Sequence, residues 1–393
     1  MNHQKYILPI IVFSQFCCTS LWFAGNAVMK DLISNFNLST SALGDLTSAV
    51  QFGFIFGTFI FALLTITDRF SPSKVFFFSA VTAAIFNLIM AIGVHCISSL
   101  ILIRFLTGFF LAGIYPVGMK IASDYYESGL GKSLGFLVGA LVLGTGFPHL
   151  LKGFGTVFPW KIVIGMTSAC AILGGALMLV FVPNGPYRKL ASKLDFSILY
   201  KVFKQRGFRQ AAFGYFGHMW ELYAFWAFVP IVLATYAKTH VNVNYNIPVL
   251  SFIIISSGSF SCVVSGYLSQ IYGAKRIATI ALALSCACCL VSPLFFVTNS
   301  EVLFIGFLVF WGMVVIADSP LLSSLVAQNV VSENRGTALT IVNSIGFAIT
   351  IISIQLINVL LDIVNPKNLL ILLSFGPILG LFALYRGGKK ISL

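Results

Sequence analysis

Five ionisable side chains stand where the surrounding sequence is apolar for a dozen residues or more: Arg104, Lys120, His218, Glu221 and Asp318. Charge in apolar surroundings is costly, and where it is kept it usually binds a solute, moves a proton or pairs with another charge. A guanidinium cannot shed its proton to escape a dry site, so Arg104 needs an anion or several carbonyl acceptors. No acid lies between Ile101 and Met119 to provide one. His218 and Glu221 are three residues apart, a spacing that puts both on one helix face. Burial opposes charge on each while proximity favours it, so such a pair can exchange a proton near neutrality. Asp318 lies two residues before Pro320, where a broken helix would free backbone carbonyls beside a carboxylate. Chemistry of this kind is proton exchange and anion binding.

The elements that must hold these groups are long apolar helices. The chain has 393 residues, 58% hydrophobic and 9% charged, with a mean hydropathy of +0.97. Soluble domains carry about a quarter charged residues. Lipid is therefore the solvent, and in lipid every backbone group must be paired internally, by helices or closed barrels. The apolar runs are continuous rather than alternating, so they are helices. Runs of the required length, about 20 residues, fall at 7–29, 43–66, 75–95, 98–122, 131–151, 160–182, 211–236, 246–269, 277–297, 301–325, 336–360 and 368–385. Twelve spans result.

The net charge of +13 marks topology rather than nucleic acid. With a cytosolic N-terminus, most Lys and Arg residues fall on the inner side, the interval 183–210 above all, as the positive-inside rule requires. Both termini are then cytosolic, in the cell's inner or plasma membrane, with anionic headgroups as neighbours. Lys5 followed by an apolar stretch imitates a secretory signal, but the stretch runs on without a small-residue cleavage site and reads as an uncleaved helix. Cys286 and Cys289 form a Cys-x-x-Cys in mid-helix with no second ligand pair, which reads as packing; no metal or cofactor is expected. Gly129-Leu130-Gly131-Lys132-Ser133 imitates the end of a phosphate loop, but Tyr126 stands where the first Gly belongs and no strand precedes it.

The polar interval 183–210 divides the chain into two groups of six spans, 1–182 and 211–393. Pro116 and Pro320 lie 204 residues apart and Trp22 and Trp220 198 apart, nearly the offset of the loops after the second and eighth spans. Such an offset indicates parallel six-helix repeats. With Asp68, Arg69 and Lys74 between spans 2 and 3, and Arg104-x-x-x-Gly108 continuing to Tyr115-Pro116 in span 4, the sequence resembles the major facilitator superfamily. Its helix 4 spacing is similar to that of the organic-anion branch, although Leu111 stands where that branch often has Glu. Gly144-Thr145-Gly146-Phe147-Pro148 replaces the Gly-Pro pair of the antiporter signature. The resemblance implies an all-α polytopic fold of twelve transmembrane helices in two pseudo-symmetric six-helix bundles. It also implies a gating network of Asp68, Arg69, Lys74 and Asp124 and a cavity lined by helices 1, 4, 7 and 10. The ionisable residues fall in spans 4, 7 and 10, in agreement with that cavity.

The first span adds a polar stripe of Gln15, Thr19, Trp22 and Asn26 at i, i+4, i+7 and i+11, and the second adds Thr47, Gln51, Phe54 and Thr58. The threonines read as inter-helix glue. Gln15, Trp22, Asn26 and Gln51 read as substrate-binding, together with Arg104 and Tyr115; Gly108 would leave room for a ligand beside the guanidinium. Glu221, His218 and Asp318 read as proton-coupling, whereas Trp220 and Tyr223 fall on the opposite face of their helix and read as packing. Gly53, Gly57, Gly135 and Gly139 allow close helix approach. The expected function is proton-coupled symport of a small organic anion by a monomer; its partners are that solute, protons and membrane lipids. A multidrug or metabolite exporter is the rival within the fold. An aspartyl intramembrane enzyme would need a Gly-x-Gly-Asp, and a sensor would carry a soluble domain; neither feature occurs, and no enzymatic activity is expected.

Overall fold

A computed structural model describes residues 4–126, 130–155, 158–188, 197–240, 243–331 and 335–385. Among these residues every regular element is helical. Eleven helices are long and apolar enough to cross a membrane, beginning with Ala42–Leu63 and ending with Lys367–Tyr385. The first apolar helix, Gln4–Thr19, is followed by a turn over residues 20–23 and by two shorter pieces, Ala24–Ala27 and Met29–Phe36. Together these pieces make the first span, which restores the count of twelve. The seventh helix starts at Arg206, five residues earlier than the apolar run alone suggests, and a short helix, Ser197–Lys204, precedes it.

Two other spans are broken at the matched prolines, and the twelfth passes through a 3-10 stretch at Leu370–Ser374. The fourth span stops at Leu111 and resumes at Tyr115; the tenth stops at Ala317 and resumes at Ser319. Pro116 and Pro320 each sit in the first turn of the resumed helix, where a missing N–H costs nothing because that donor would be unpaired anyway. Pro148, Pro230 and Pro293 instead lie inside continuous helices.

Glycines let these helices meet backbone to backbone. A methyl at Gly53 or Gly57 would collide with the carbonyls of Phe105 or Phe109, and one at Gly108 with the carbonyl of Val50. Spans 2 and 4 therefore touch along their lengths, and Gly108 serves that seam. The expectation that it leaves room for a ligand is corrected, because the space is occupied by the second helix. Between spans 5 and 8 a methyl at Gly135 or Gly139 would stand 3.1 Å from the carbonyl of Cys262 or Ser259. Spans 2 and 11 are joined at one end. Gln355 Nε2 donates to Ser48 Oγ at 2.9 Å, and Asn358 Nδ2 donates to the Ser41 carbonyl at 3.1 Å.

Candidate functional site

The turn at 20–23 forms without a proline. A helix so interrupted leaves carbonyls that water cannot reach, and a side chain inserted into the ladder is one recognised cause of such a break. Arg104 is that side chain. Its Nη1 donates to the Leu21 carbonyl at 3.1 Å and its Nη2 donates to the Trp22 carbonyl. Nη1 also reaches Asn87 Oδ1 at 3.5 Å. Arg104 is fully buried and its Nε is unpartnered. Neither Glu221 nor Asp318 bridges to it. The carbonyl alternative is the one this structure adopts.

Asn87 extends the contact. Its Nδ2 lies 3.0 Å from Ser168 Oγ and 3.3 Å from both Thr167 Oγ1 and the Ile164 carbonyl. One guanidinium thus connects the first, third, fourth and sixth spans. Tyr115 is eleven residues and a helix break beyond Arg104, and no hydrogen bond joins the two among the described residues. Shared sequence spacing did not bring the two together.

The C-terminal half distributes its ionisable groups differently from expectation. His218 and Glu221 do not pair. His218 Nδ1 contacts Asp318 Oδ1 at 2.8 Å, with both side chains only 1% exposed. Glu221 Oε1 accepts from Ser285 Oγ at 2.5 Å, Trp311 Nε1 at 2.6 Å and Cys289 Sγ at 3.3 Å. Three residues along a helix leave the two side chains about 60° apart around its axis, so neighbouring helices on either side of that face can claim them separately. The break at Asp318 brings its carboxylate to His218, while the unbroken part of the tenth span presents Trp311 to Glu221. The His218–Asp318 contact is an ion-pair distance and not a hydrogen bond in this geometry: both Asp318 oxygens and His218 Nε2 are buried without a hydrogen-bond partner.

Aromatic rings fill the middle of the molecule. Trp22 lies 5.9 Å from Tyr223 at 27° and 5.6 Å from Phe347 at 24°, with Phe54 at 4.9 Å. Tyr223 and Phe347 are themselves 5.3 Å apart. Tyr223 is therefore no peripheral packing residue. Around Tyr223 the seventh helix is buried from Glu221 to Val229, so its opposite faces both meet protein there. Trp220, the sequence counterpart of Trp22, turns outward and donates from Nε1 to the Leu372 carbonyl.

Around the rings, several polar atoms are buried without partners: both amide atoms of Gln15 and of Gln51, and the indole nitrogens of Trp22 and Trp226. Asn26 differs, because its Nδ2 donates to Thr47 Oγ1 at 2.7 Å, and Thr47 in turn donates to the Leu43 carbonyl. Asn26 thus joins the first and second spans.

At the opposite end, Arg69 donates to Thr65 Oγ1 at 3.2 Å and Lys74 is exposed. The side chain of Asp68 lies outside the described residues. Asp124 is buried, and its carbonyl accepts from the Tyr187 amide at 3.0 Å. The segment after the sixth span ties this end together: Ser71 Oγ meets Asn184 Oδ1 at 2.8 Å, Tyr125 donates to the Pro183 carbonyl at 2.6 Å and Arg188 donates to the Phe70 carbonyl at 3.0 Å.

Sequence reading missed three residues. Asn87 is uncharged and sits in the third span, outside the four helices expected to line the cavity. His149, 2% exposed with an unpartnered Nε2, lies near a span end. Its position directly after Pro148 was the available signal. Phe347 carried none, being one Phe among 39.

Residues 11–354 match the family model described as Major Facilitator Superfamily. Among curated proteins, the chain is 29% identical over 196 residues to "Efflux pump FUBT" of Fusarium oxysporum, covering 47% of this chain and 32% of that one. It is 30% identical over 175 residues to "Efflux pump FUB11" of Gibberella fujikuroi, covering 42% of this chain and 30% of the pump. These matches span about a third of the pumps' length. Among solved structures it is similar to the human organic anion transporter MFSD10, with a TM-score of 0.76, 13% identity and coverage of 98% and 100% of the two chains. The proton:xylose symporter XylE follows at 0.75 and 14%, covering 99% and 96%. At such identities the structural likeness speaks for the fold. With a family match across most of its length and this arrangement of twelve spans, the chain belongs to the Major Facilitator Superfamily.

Proposed function

We propose that this transporter couples the movement of a small organic anion to protons by alternating access, with His218 and Asp318 as the proton site. The observation that carries the reading is the 2.8 Å contact between these two side chains, both 1% exposed, at the break in the tenth span. How much charge an imidazole and a carboxylate can hold in a dry site depends on their contact and on whether water reaches them. Glu221, enclosed by three donors on the ninth and tenth spans, sets the local potential. Arg104 supports the anionic character of the solute: its charge meets carbonyl dipoles but no carboxylate among the described residues, so an anion near Trp22 would offset it. Gln355 and Asn358 close one end of the seam between spans 2 and 11 and would part when that end opens.

Purified protein reconstituted into vesicles tests this reading. A pH gradient should drive uptake of a labelled carboxylate, and Asp318→Asn should reduce that uptake at least tenfold while leaving solute counterflow measurable. Uptake by the variant at the unaltered rate would refute the assignment. The curated relatives are named efflux pumps, which favours export as a second reading; accumulation of solute in cells lacking the protein would support it.

A further inference from the structure

From the ring geometry at the seam between the bundles we infer that the transported anion is aromatic, its ring sliding between Trp22 and the facing rings of Tyr223 and Phe347. The inference rests on the transport reading above and deepens it. Trp22 comes from the first span, whereas Tyr223 and Phe347 come from the seventh and eleventh, so the contact crosses from one bundle to the other. The Trp22 plane lies 27° from Tyr223 and 24° from Phe347, at centroid distances of 5.9 and 5.6 Å, while those two rings are 50° apart and form a shallow V facing the indole. Aromatic rings stack within about 4.5–7 Å. A parallel ring inserted between two others needs about 3.5 Å on each side, close to an aromatic van der Waals contact. The bundles therefore need to separate by only a few ångströms for this closed stack to become a slot for one flat ring.

Unpartnered polar atoms at the edges of the slot define the rest of the solute. Trp22 Nε1 and Trp226 Nε1 are buried without acceptors, and Trp226 packs 5.3 Å from Tyr223. An indole nitrogen can only donate. Both amide atoms of Gln51 are likewise unpartnered, one helical turn from Phe54, whose ring lies 4.9 Å from Trp22. A solute that fits has a flat conjugated body and a group rich in acceptors, which an ionised carboxylate provides. A saturated ring of equal size satisfies the donors but forfeits the stacking.

The test uses the purified full-length protein and four probes: benzoate, cyclohexanecarboxylate, benzyl alcohol and cyclohexylmethanol. Affinities are read from ligand-induced shifts in melting temperature. Benzoate should bind at least about fivefold more tightly than cyclohexanecarboxylate, the ratio expected for two stacking contacts. Trp22→Leu, or Phe347→Leu if the first variant fails to fold, should bring that ratio close to one. Equal affinity of the two carboxylates for the unaltered protein would overturn the aromatic slot and leave anion transport standing. If benzyl alcohol binds as tightly as benzoate while cyclohexylmethanol binds weakly, the slot stands and the anion reading falls. Stabilisation by none of the four probes would overturn the inference.

Discussion

The two bundles handle buried charge in opposite ways. In the N-terminal half a permanent cation, Arg104, is held by the backbone of a broken helix. In the C-terminal half, acids are held by side chains: Asp318 by His218, and Glu221 by Ser285, Trp311 and Cys289. The first span is broken at residues 20–23, whereas its counterpart, Arg206–Thr239, is a continuous helix of 34 residues. Backbone carbonyls do not titrate and a guanidinium does not deprotonate, so the first arrangement is fixed. A carboxylate beside an imidazole changes charge with its surroundings. Fixed charge and groups able to change charge thus lie in different bundles.

The largest expected effect lies on the fixed side. Arg104→Ala would remove the guanidinium donors from the Leu21 and Trp22 carbonyls, leaving Leu21 only the long 3.5 Å bond from the Ala24 amide, at about 1–3 kcal/mol for each carbonyl left unsatisfied. Thermal denaturation in detergent should show a larger loss for this variant than for Asp318→Asn. Arg104→Lys should fall between, because an ammonium offers donors without the planar fork that spans two carbonyls. A melting temperature unchanged in Arg104→Ala would break the comparison.

Glu221→Gln separates two acids on the switchable side. The amide keeps an acceptor oxygen toward Ser285 and Trp311 but weakens charge-assisted bonds, a loss of about 1–2 kcal/mol. Stability should fall by that amount while pH-driven uptake persists, in contrast to Asp318→Asn. Loss of coupling in both variants would merge the acids into one proton site.

The smallest effect concerns thiols. Cys262, Cys286, Cys288 and Cys289 in the C-terminal half are all buried, whereas Cys96 in the N-terminal half is exposed. Hydrogen bonds from Ser99 hold the Cys96 thiol below its ordinary range, so more of it is thiolate at neutral pH and it should react faster than a free thiol. A membrane-impermeant maleimide added to intact cells should label one site, and Cys96→Ser should abolish that signal. Labelling only after the cells are opened would invert the topology in which both termini are cytosolic.

Much of the architecture was legible along the chain because lipid imposes it locally. Apolar runs had to be helices, Pro320 marked one break and the glycine pairs marked close seams, whereas the span holding Pro116 read as continuous and is broken before it. The break at residues 20–23 was not legible, since no residue there forbids a helix; it depends on a guanidinium 83 positions away. The pairing of His218 was equally hidden. Helical spacing favoured Glu221, and only the course of the tenth span around Pro320 brought Asp318 within 2.8 Å.

Residue types and their order therefore determined the solvent, the number of spans, the repeat and which charges would be buried. Those properties follow from hydropathy and backbone hydrogen bonding, which act within a single helix. Which partner each buried charge took was decided by the tertiary structure alone. A helix presents its side chains all around its axis, and the neighbours that reach each face come from spans distant in the chain. Arg104 took carbonyls, Asp318 took an imidazole, and Trp22 met Tyr223 and Phe347 across the seam because packing brought those groups close enough to satisfy one another.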